Sequence, residues 1–338
     1  MSIYDLNYEE LIDYLISIGE KKYRAEQIFY WLYEKRVKYF SEMTNLSKGL
    51  IDKLNSDFNM DRLSLVSEEV DIDVNKYLFK LSDGNHIECV LMRHNYGLSL
   101  CVSSQVGCNM GCTFCESGRL KKVRNLLTSE MILQIMMVEE LVGERISHVV
   151  VMGIGEPFDN YDNIVKFITL ANFHKGLNIG ARHITISTCG IIPKIEEFSN
   201  MPYQVNLAIS LHAPNDELRS KIMPINKAYP LNDLMKTLKK YISKTNRRLT
   251  FEYILLDGVN DMDSCAYELA HLLKGMNAYV NLIPYNESSN ILYKRSKKEQ
   301  ILRFYDIIKK EGINVTIRRE FGSKISAACG QLRAKKEE

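Results

Sequence analysis

Residues 101–115 read Cys101-Val-Ser-Ser-Gln-Val-Gly-Cys108-Asn-Met-Gly-Cys112-Thr-Phe-Cys115. The last three cysteines form a C-x3-C-x2-C array, and Cys101 lies seven residues before it. An iron–sulfur cluster needs cysteine thiolates that converge on a small inorganic core. Two glycines allow the loop its tight bends. The spacing therefore predicts an iron–sulfur cluster ligated by Cys108, Cys112 and Cys115.

Two other uses of these cysteines fit the segment less well. A structural zinc site normally takes four protein ligands, often as two pairs, and Phe114 between the last two cysteines adds none. Disulfide bonds are typical of exported proteins, and nothing else in the chain suggests export. The cluster is therefore the preferred interpretation.

Length and composition are those of an ordinary globular protein. The chain has 338 residues, of which 46% are hydrophobic and 25% are charged, so it can bury a large core. Its start does not resemble a signal peptide, and no apolar run is long enough to span a bilayer. We expect a cytoplasmic protein without a membrane partner, whose eight cysteines stay mostly reduced. A net charge of +2 neither requires nor excludes a nucleic-acid partner.

The first hundred residues predict a small helical unit followed by β-strands. Helices are predicted over residues 8–18, 24–35 and 48–58. Strands are predicted over residues 63–70, 76–81, 87–92 and 98–102, with a hairpin turn at Asp83-Gly84. Glu88 lies inside an otherwise apolar strand, where a carboxylate usually faces solvent unless it points into a site.

Strands and helices alternate after the cysteine segment. We predict strands over residues 148–152, 183–187, 205–210, 249–256, 278–283 and 314–317, and helices over 129–142, 161–173, 192–198, 231–243, 265–274 and 297–310. Such alternation indicates a parallel sheet covered by helices, and the number of units favours a partial TIM-type (β/α)6 barrel. An open doubly wound sheet is the alternative that periodicity does not exclude.

Polar residues follow several predicted strands, at the ends where the site of a barrel lies. Glu156, Ser187, Ser210-Leu211-His212 and Asn286 each stand at or just after such a strand end. One polar strand end is weak evidence, because loops often carry such residues. Together, these groups could bind the ammonium, carboxylate and ribose of a nucleoside cofactor.

These motifs resemble known proteins. The three-cysteine array resembles the signature of the radical-SAM superfamily, in which the iron without a protein ligand chelates S-adenosylmethionine. Over nearly its full length, the chain also resembles the RlmN/Cfr family of radical-SAM RNA adenine methyltransferases. That resemblance rests on six motifs: Cys101-Val-Ser-Ser-Gln-Val-Gly-Cys108, Gly153-Ile-Gly-Glu-Pro157, Ser210-Leu-His-Ala-Pro-Asn-Asp216, Met223-Pro-Ile-Asn-Lys227, Asn281-Leu-Ile-Pro-Tyr-Asn286 and Ala327-Ala-Cys-Gly-Gln-Leu332.

The resemblance implies roles for individual residues. Cys108, Cys112 and Cys115 match the family's cluster ligands. Cys329 matches the cysteine that is methylated and then carries the methylene group, Cys101 matches its resolving partner, and Glu88 matches a proposed general base. The residues that match the family's cofactor contacts are Gly155, Glu156, Ser187, Ser210, Leu211, His212 and Asn286.

The implied reaction uses two molecules of S-adenosylmethionine per turnover. One methylates Cys329, and the other is cleaved reductively at a [4Fe-4S] cluster to a radical that takes hydrogen from the S-methyl group. The methylene radical adds to adenine, and deprotonation and attack by Cys101 then release methylated RNA. The implied substrates are adenosine 2503 of 23S rRNA and adenosine 37 of tRNA. An external electron donor such as flavodoxin or ferredoxin is implied, and we expect a monomer.

Several alternatives remain at the level of the sequence. Residues 116–122 depart from the family pattern of small residues, which leaves substrate detail open. Val106 and Glu156-Pro157 are closer to the C2-methylating branch, and C8 methylation of the same rRNA adenosine is the alternative. A non-enzymatic iron–sulfur or zinc module that binds RNA would have no use for Cys101 and Cys329.

We predict a helical domain over 1–60, a β-rich linker over 61–93, a radical-SAM core over 94–326 and a terminal segment over 327–338.

Overall fold

The structure is a computed structural model that describes residues 1–288 and 290–318. Cys329 therefore lies outside the described residues. The helices are α1 (Tyr8–Ser17), α2 (Arg24–Phe29), α3 (Lys48–Asp57), α4 (Thr128–Val142), α5 (Tyr161–Asn172), α6 (Ile192–Phe198), α7 (Asp216–Ile222), α8 (Leu231–Thr245), α9 (Asp263–Leu273) and α10 (Lys298–Lys310). The strands are β1 (Ser64–Asp71), β2 (Val74–Lys80), β3 (His86–His94), β4 (Gly97–Val102), β5 (Gln105–Val106), β6 (Arg124–Asn125), β7 (Ile146–Val151), β8 (Ile184–Thr188), β9 (Asn206–Ser210), β10 (Leu249–Leu255), β11 (Ala278–Pro284) and β12 (Asn314–Ile317).

One large sheet organises the described part of the chain, in the order β1-β2-β3-β4-β7-β8-β9-β10-β11-β12. Strands β1 to β4 pair antiparallel, whereas β4 and the strands from β7 onward pair parallel. The parallel strands follow chain order, whereas a doubly wound sheet reverses its order at a switch point. With helices between successive strands, this topology confirms the predicted partial (β/α)6 barrel.

The main hydrophobic core lies between the outer face of the sheet and the helices. Helix α4 is buried along most of its length, whereas α8 and α10 bury one side and expose the other. The amino-terminal helical unit packs against the start of α4, where the Ser129 N–H donates to Asp5 Oδ1 at 2.8 Å. Within the described ranges, we find no helix with the length and hydropathy needed to cross a membrane.

The predicted strands and helices are all present within two residues of their expected bounds, with one helix changed in type. Helix α2 continues into a π-helical turn over Tyr30–Glu34. Asp83-Gly84 forms the expected turn between β2 and β3, and Gly84 has a φ of +87°. Helix α7 and the β5–β6 pair were not predicted, because α7 has only two apolar residues, Leu218 and Ile222, and β5 and β6 have two residues each.

The direction of Glu88 is decided by the structure. Glu88 is only 6% exposed and does not face solvent. It lies on the inner face of β3, two residues from Val90, which contacts Cys101 and Ile154 in a small apolar cluster. The strand therefore presents its carboxylate to the barrel interior.

Candidate functional site

A cavity of about 160 Å³ lies at the carboxyl ends of the parallel strands. The loops that line it follow β4, β7, β8 and β9, so the barrel topology alone brings them together. The predicted site residues in its lining are Cys108, Cys112, Cys115, Gly155, Glu156, Ser187, Ser210 and His212. Their grouping is a fact of the structure, and their roles remain predictions.

The cysteine loop folds back on itself soon after β5. Gly107 has a φ of +75°, and a Cβ atom there would lie 2.2 Å from the backbone oxygen of Lys121. The Cys108 N–H donates to the Leu120 oxygen at 3.0 Å, which ties the first cysteine to the returning chain. Glycine is therefore required at position 107 by both backbone conformation and space.

Burial dominates the electrostatics of the cysteine array. Desolvation raises the pKa of Cys108 to about 12 and the pKa of Cys112 well above its ordinary value, and the neighbouring thiols add to both shifts. As thiolates, the three would repel one another, so a cation among them is needed for ionisation. No three potential metal ligands in the described ranges are placed to hold a single ion. The donor set of three thiols around one shared cavity fits the cationic core of an iron–sulfur cluster.

Glu156 joins two of the loops that line the cavity. Its Oε1 accepts from the Phe158 N–H at 3.0 Å, and its Oε2 accepts from the Cys189 N–H at 2.8 Å. Burial raises the pKa of Glu156, while these two hydrogen bonds oppose that rise. The carboxylate is therefore a cross-link between the segments after β7 and β8, with further lone pairs available to a ligand.

His212 is held in one tautomer. Its Nδ1 accepts from the Ile254 N–H at 3.0 Å, so the proton of the neutral ring is on Nε2. Burial lowers the pKa of His212 to about 3, and the nearby Arg219 adds to that effect. The residue also has a φ of +58°, which turns the chain sharply after β9. His212 thus offers the cavity a neutral N–H donor.

Two serines on neighbouring strands also line the cavity. Ser187 on β8 and Ser210 on β9 have their hydroxyl oxygens 3.3 Å apart. Hydroxyl groups both donate and accept, so the pair can serve either kind of polar ligand atom.

Arg219 is a residue that the sequence analysis did not single out. It is fully buried on α7. Its guanidinium donates to the backbone oxygens of Cys189 at 2.6 Å, Leu211 at 3.2 Å and Ser210 at 3.4 Å. It therefore connects the carboxyl ends of β8 and β9, at the edge of the sheet where the cavity lies. Arg219 lies between the motifs that end at Asp216 and begin at Met223, but a single basic residue on a short helix usually faces solvent, so there was little reason in the sequence to select it.

Cys101 lies next to the cavity but not in its described lining. It is buried on β4 and packs with Val90 and Ile154, and Met152 contacts that cluster. Met152 also lines the cavity, so its side chain contacts both regions. Among the described lining residues we also do not find Leu211, which belongs to the main core, or Asn286, which follows β11 and is half-buried.

Residues 116–122 are anchored to the neighbouring loops. Glu116 is buried and accepts a hydrogen bond from the Ser288 hydroxyl, after β11. At the other end of the segment, Lys122 forms an ion pair with Asp159 at 2.7 Å. The segment that departs from the family pattern therefore closes one side of the site.

Comparisons with known proteins define the class of the protein. Residues 102–270 match the family model of the Radical SAM superfamily. Residues 1–60 match the model of the ribosomal RNA large subunit methyltransferase N-terminal domain. The chain is thus a member of the radical SAM superfamily.

Individual relatives narrow this further. The chain is 55% identical to the "Probable dual-specificity RNA methyltransferase RlmN" of Enterococcus faecalis, over 99% of this chain and 96% of the relative. It is 57% identical to a Listeria welshimeri protein with the same description, over 99% and 94% of the two chains. The crystal structure of a radical SAM methyltransferase from Sphaerobacter thermophilus is 43% identical, with a TM-score of 0.94 over 99% of this chain and 100% of that one. Within the superfamily, the chain belongs to the RlmN family.

Proposed function

We propose that the chain methylates C2 of adenosine 2503 in 23S rRNA, and also C2 of adenosine 37 in tRNA. The observation that carries the proposal is one cavity lined by Cys108, Cys112 and Cys115 together with Glu156 and His212. The descriptions of the relatives as dual-specificity RNA methyltransferases support an RNA substrate of two kinds.

The chemistry of the target explains why such a site is needed. C2 of adenine is an aromatic amidine carbon without an electron pair to accept a methyl group from a sulfonium. When bound, a [4Fe-4S] cluster and S-adenosylmethionine supply a radical route that avoids this obstacle, with two molecules of S-adenosylmethionine consumed per turnover. Cys108, Cys112 and Cys115 would hold the cluster as thiolates.

The remaining lining of the cavity suits S-adenosylmethionine. The free lone pairs of Glu156 accept from its ammonium group, and the Nε2–H of His212 and the hydroxyls of Ser187 and Ser210 bond its polar oxygens. Phe114 and Ile254 supply apolar walls that exclude water from this space. Gly155, Leu211 and Asn286 are assigned to the same cofactor by their match to the family pattern.

The two remaining cysteines and Glu88 act on the RNA. Cys329 carries the one-carbon unit and becomes joined through it to adenine. Aromaticity is restored when the adduct gives up the C2 proton and one electron. A bound [4Fe-4S] cluster would accept the electron, and Glu88 is the base that takes the proton. The Cys101 thiolate then attacks the Cys329 sulfur: an S–S bond forms, the S–CH2 bond breaks, and its electron pair stays on the carbon, which takes a proton to become methyl.

The test is mass spectrometry of 23S rRNA and tRNA from a strain that lacks the protein. Loss of one methyl group from C2 at both positions, restored by the cloned gene, is the expected result. Loss from C8 would favour the alternative reaction, and unchanged methylation would favour a module that only binds RNA. We also propose that the protein is a cytoplasmic monomer and that it takes electrons from a donor such as flavodoxin or ferredoxin.

A further inference from the structure

Lys76 on β2 is a buried lysine held between two carboxylates. Its side chain is only 10% exposed. The Nζ atom lies 2.5 Å from Glu69 Oε1 and 3.7 Å from Glu88 Oε1. Lysine is almost never buried without a partner, because removing the ammonium group from water is costly.

The sheet register puts this lysine in one row with the proposed resolving cysteine. Lys76 is opposite Glu69 on β1 and Val90 on β3, and Val90 is opposite Cys101 on β4. Side chains that are opposite one another across neighbouring strands share a face of the sheet. Glu88 is two residues from Val90 and therefore shares that inner face. Lys76, Glu88 and Cys101 thus belong to one patch of the barrel wall.

The position of Glu88 is held from two sides. Its backbone oxygen accepts from the Ser103 hydroxyl at 2.6 Å, and the same hydroxyl oxygen accepts from the Ile154 N–H at 2.9 Å. This fixes the main chain of Glu88 to the loop after β7. The carboxylate itself, at 7% exposure, has Lys76 as its cation partner on the neighbouring strand.

The two ion pairs of Lys76 have different environments. The Glu69 side chain is 43% exposed, and an ion pair at the surface contributes little because water screens it. The Glu88 side chain is 7% exposed, and a buried ion pair is screened much less. The lysine therefore matters far more to Glu88 than to Glu69.

We propose that Lys76 is a positioning residue whose ion pair holds the Glu88 carboxylate in place for the adenine adduct, so that Lys76 is needed for release of methylated RNA but not for the steps before it. This inference rests on the proposed function, in which Glu88 takes the C2 proton.

The experiment compares variants of the reconstituted holoenzyme with a transcript of the 23S rRNA segment that contains the target adenosine. Lys76→Met removes the charge and keeps the length of the side chain. Lys80→Met, on the same strand but exposed, is the matched control. Lys76→Arg keeps the charge and should release RNA at close to the parental rate.

Lys76→Met is expected to retain iron content and S-adenosylmethionine cleavage. Its protein–RNA adduct, measured on denaturing gels with and without nuclease, should persist and be released about tenfold or more slowly. Lys80→Met should release RNA as the parent does. The double variant Lys76→Met with Glu88→Gln should trap no more adduct than Glu88→Gln alone, because Lys76 acts through Glu88.

Other outcomes overturn specific parts of the argument. If Glu88→Gln and Cys101→Ala trap adduct but Lys76→Met releases RNA at the parental rate, the inference about Lys76 is wrong and the proposed function stands. If the double variant is clearly slower than Glu88→Gln, Lys76 has a structural role instead. If neither Glu88→Gln nor Cys101→Ala traps an adduct, the proposed function fails first.

Discussion

The backbone N–H of Cys189 donates to Glu156 Oε2 at 2.8 Å, and this hydrogen bond joins the loop after β7 to the loop after β8. The other carboxylate oxygen accepts from Phe158 within its own loop. Glu156 was expected to bind the ammonium group of a cofactor, and in the structure it also connects two loops. The geometry of the cavity wall depends on the same carboxylate that is proposed to bind the ligand.

Glu156→Gln should weaken S-adenosylmethionine binding and also destabilise the protein. The amide offers one acceptor oxygen in place of two, so one of the two buried N–H groups loses its partner, at about 1–3 kcal/mol. Calorimetry measures the affinity of the cluster-loaded protein, and denaturant unfolding measures the stability. Glu144→Gln, an exposed change, is the control and should alter neither. An unchanged affinity with reduced stability would leave Glu156 as a loop cross-link only.

Cys112→Ala should abolish the cluster. The anaerobically reconstituted parent should hold about four iron atoms per chain and show a charge-transfer absorbance. The variant should lose both, because one of three thiolates is missing from the shared cavity. Cys265→Ala, a buried cysteine on α9 away from the site, should keep its iron. Full iron content in Cys112→Ala would show that the ligand assignment is wrong.

Cys101→Ala should purify covalently joined to RNA, because the proposed adduct forms before Cys101 acts. Cys329→Ala should accept no methyl group and form no adduct. A denaturing gel with and without nuclease detects the joined species. Cys89→Ala is the matched control, since Cys89 is buried on the neighbouring strand but belongs to the main core. If Cys101→Ala releases methylated RNA as the parent does, the resolving role of Cys101 is wrong. If Cys329→Ala still methylates RNA, the two-cysteine mechanism is wrong.

His212 should make the protein less stable in mild acid. Burial lowers its folded-state pKa to about 3, below its ordinary value, so between these values the unfolded chain binds more protons. The free energy of unfolding is therefore unaffected by protonation of His212 above about pH 6.5. Below that pH it falls, by up to about 1.4 kcal/mol per pH unit. Asparagine tolerates the positive φ of this position, so His212→Asn is a suitable variant.

Urea unfolding of the cluster-free protein between pH 7.5 and pH 5 tests this prediction. The slope of stability against pH should be smaller in His212→Asn than in the parent. His271→Asn, exposed on α9, should keep the parental slope. Equal slopes in all three proteins would mean that His212 is protonated as readily in the fold as in the unfolded chain.

Much of the architecture could be predicted from local patterns. Alternating runs such as those of β10 and β11, and amphipathic segments such as α8, carry their period in neighbouring residues, and their bounds agree with the structure. The cysteine array is equally local, because Cys108, Cys112 and Cys115 are close in the chain and one loop brings them together. The convergence of Glu156, Ser187 and Ser210 also followed, since parallel strands place their carboxyl ends on one side of a barrel.

Local patterns therefore predict the succession of elements, the cysteine loop and the edge of the barrel where the site lies. Three features could be found only in the folded chain: the inward direction of Glu88 beside Lys76, the burial of Arg219, and the position of the His212 proton on Nε2. Each of these depends on contacts between residues far apart in the chain or on different strands. A period of two allows a side chain either face of a strand, and the face is chosen by which surface the whole sheet buries.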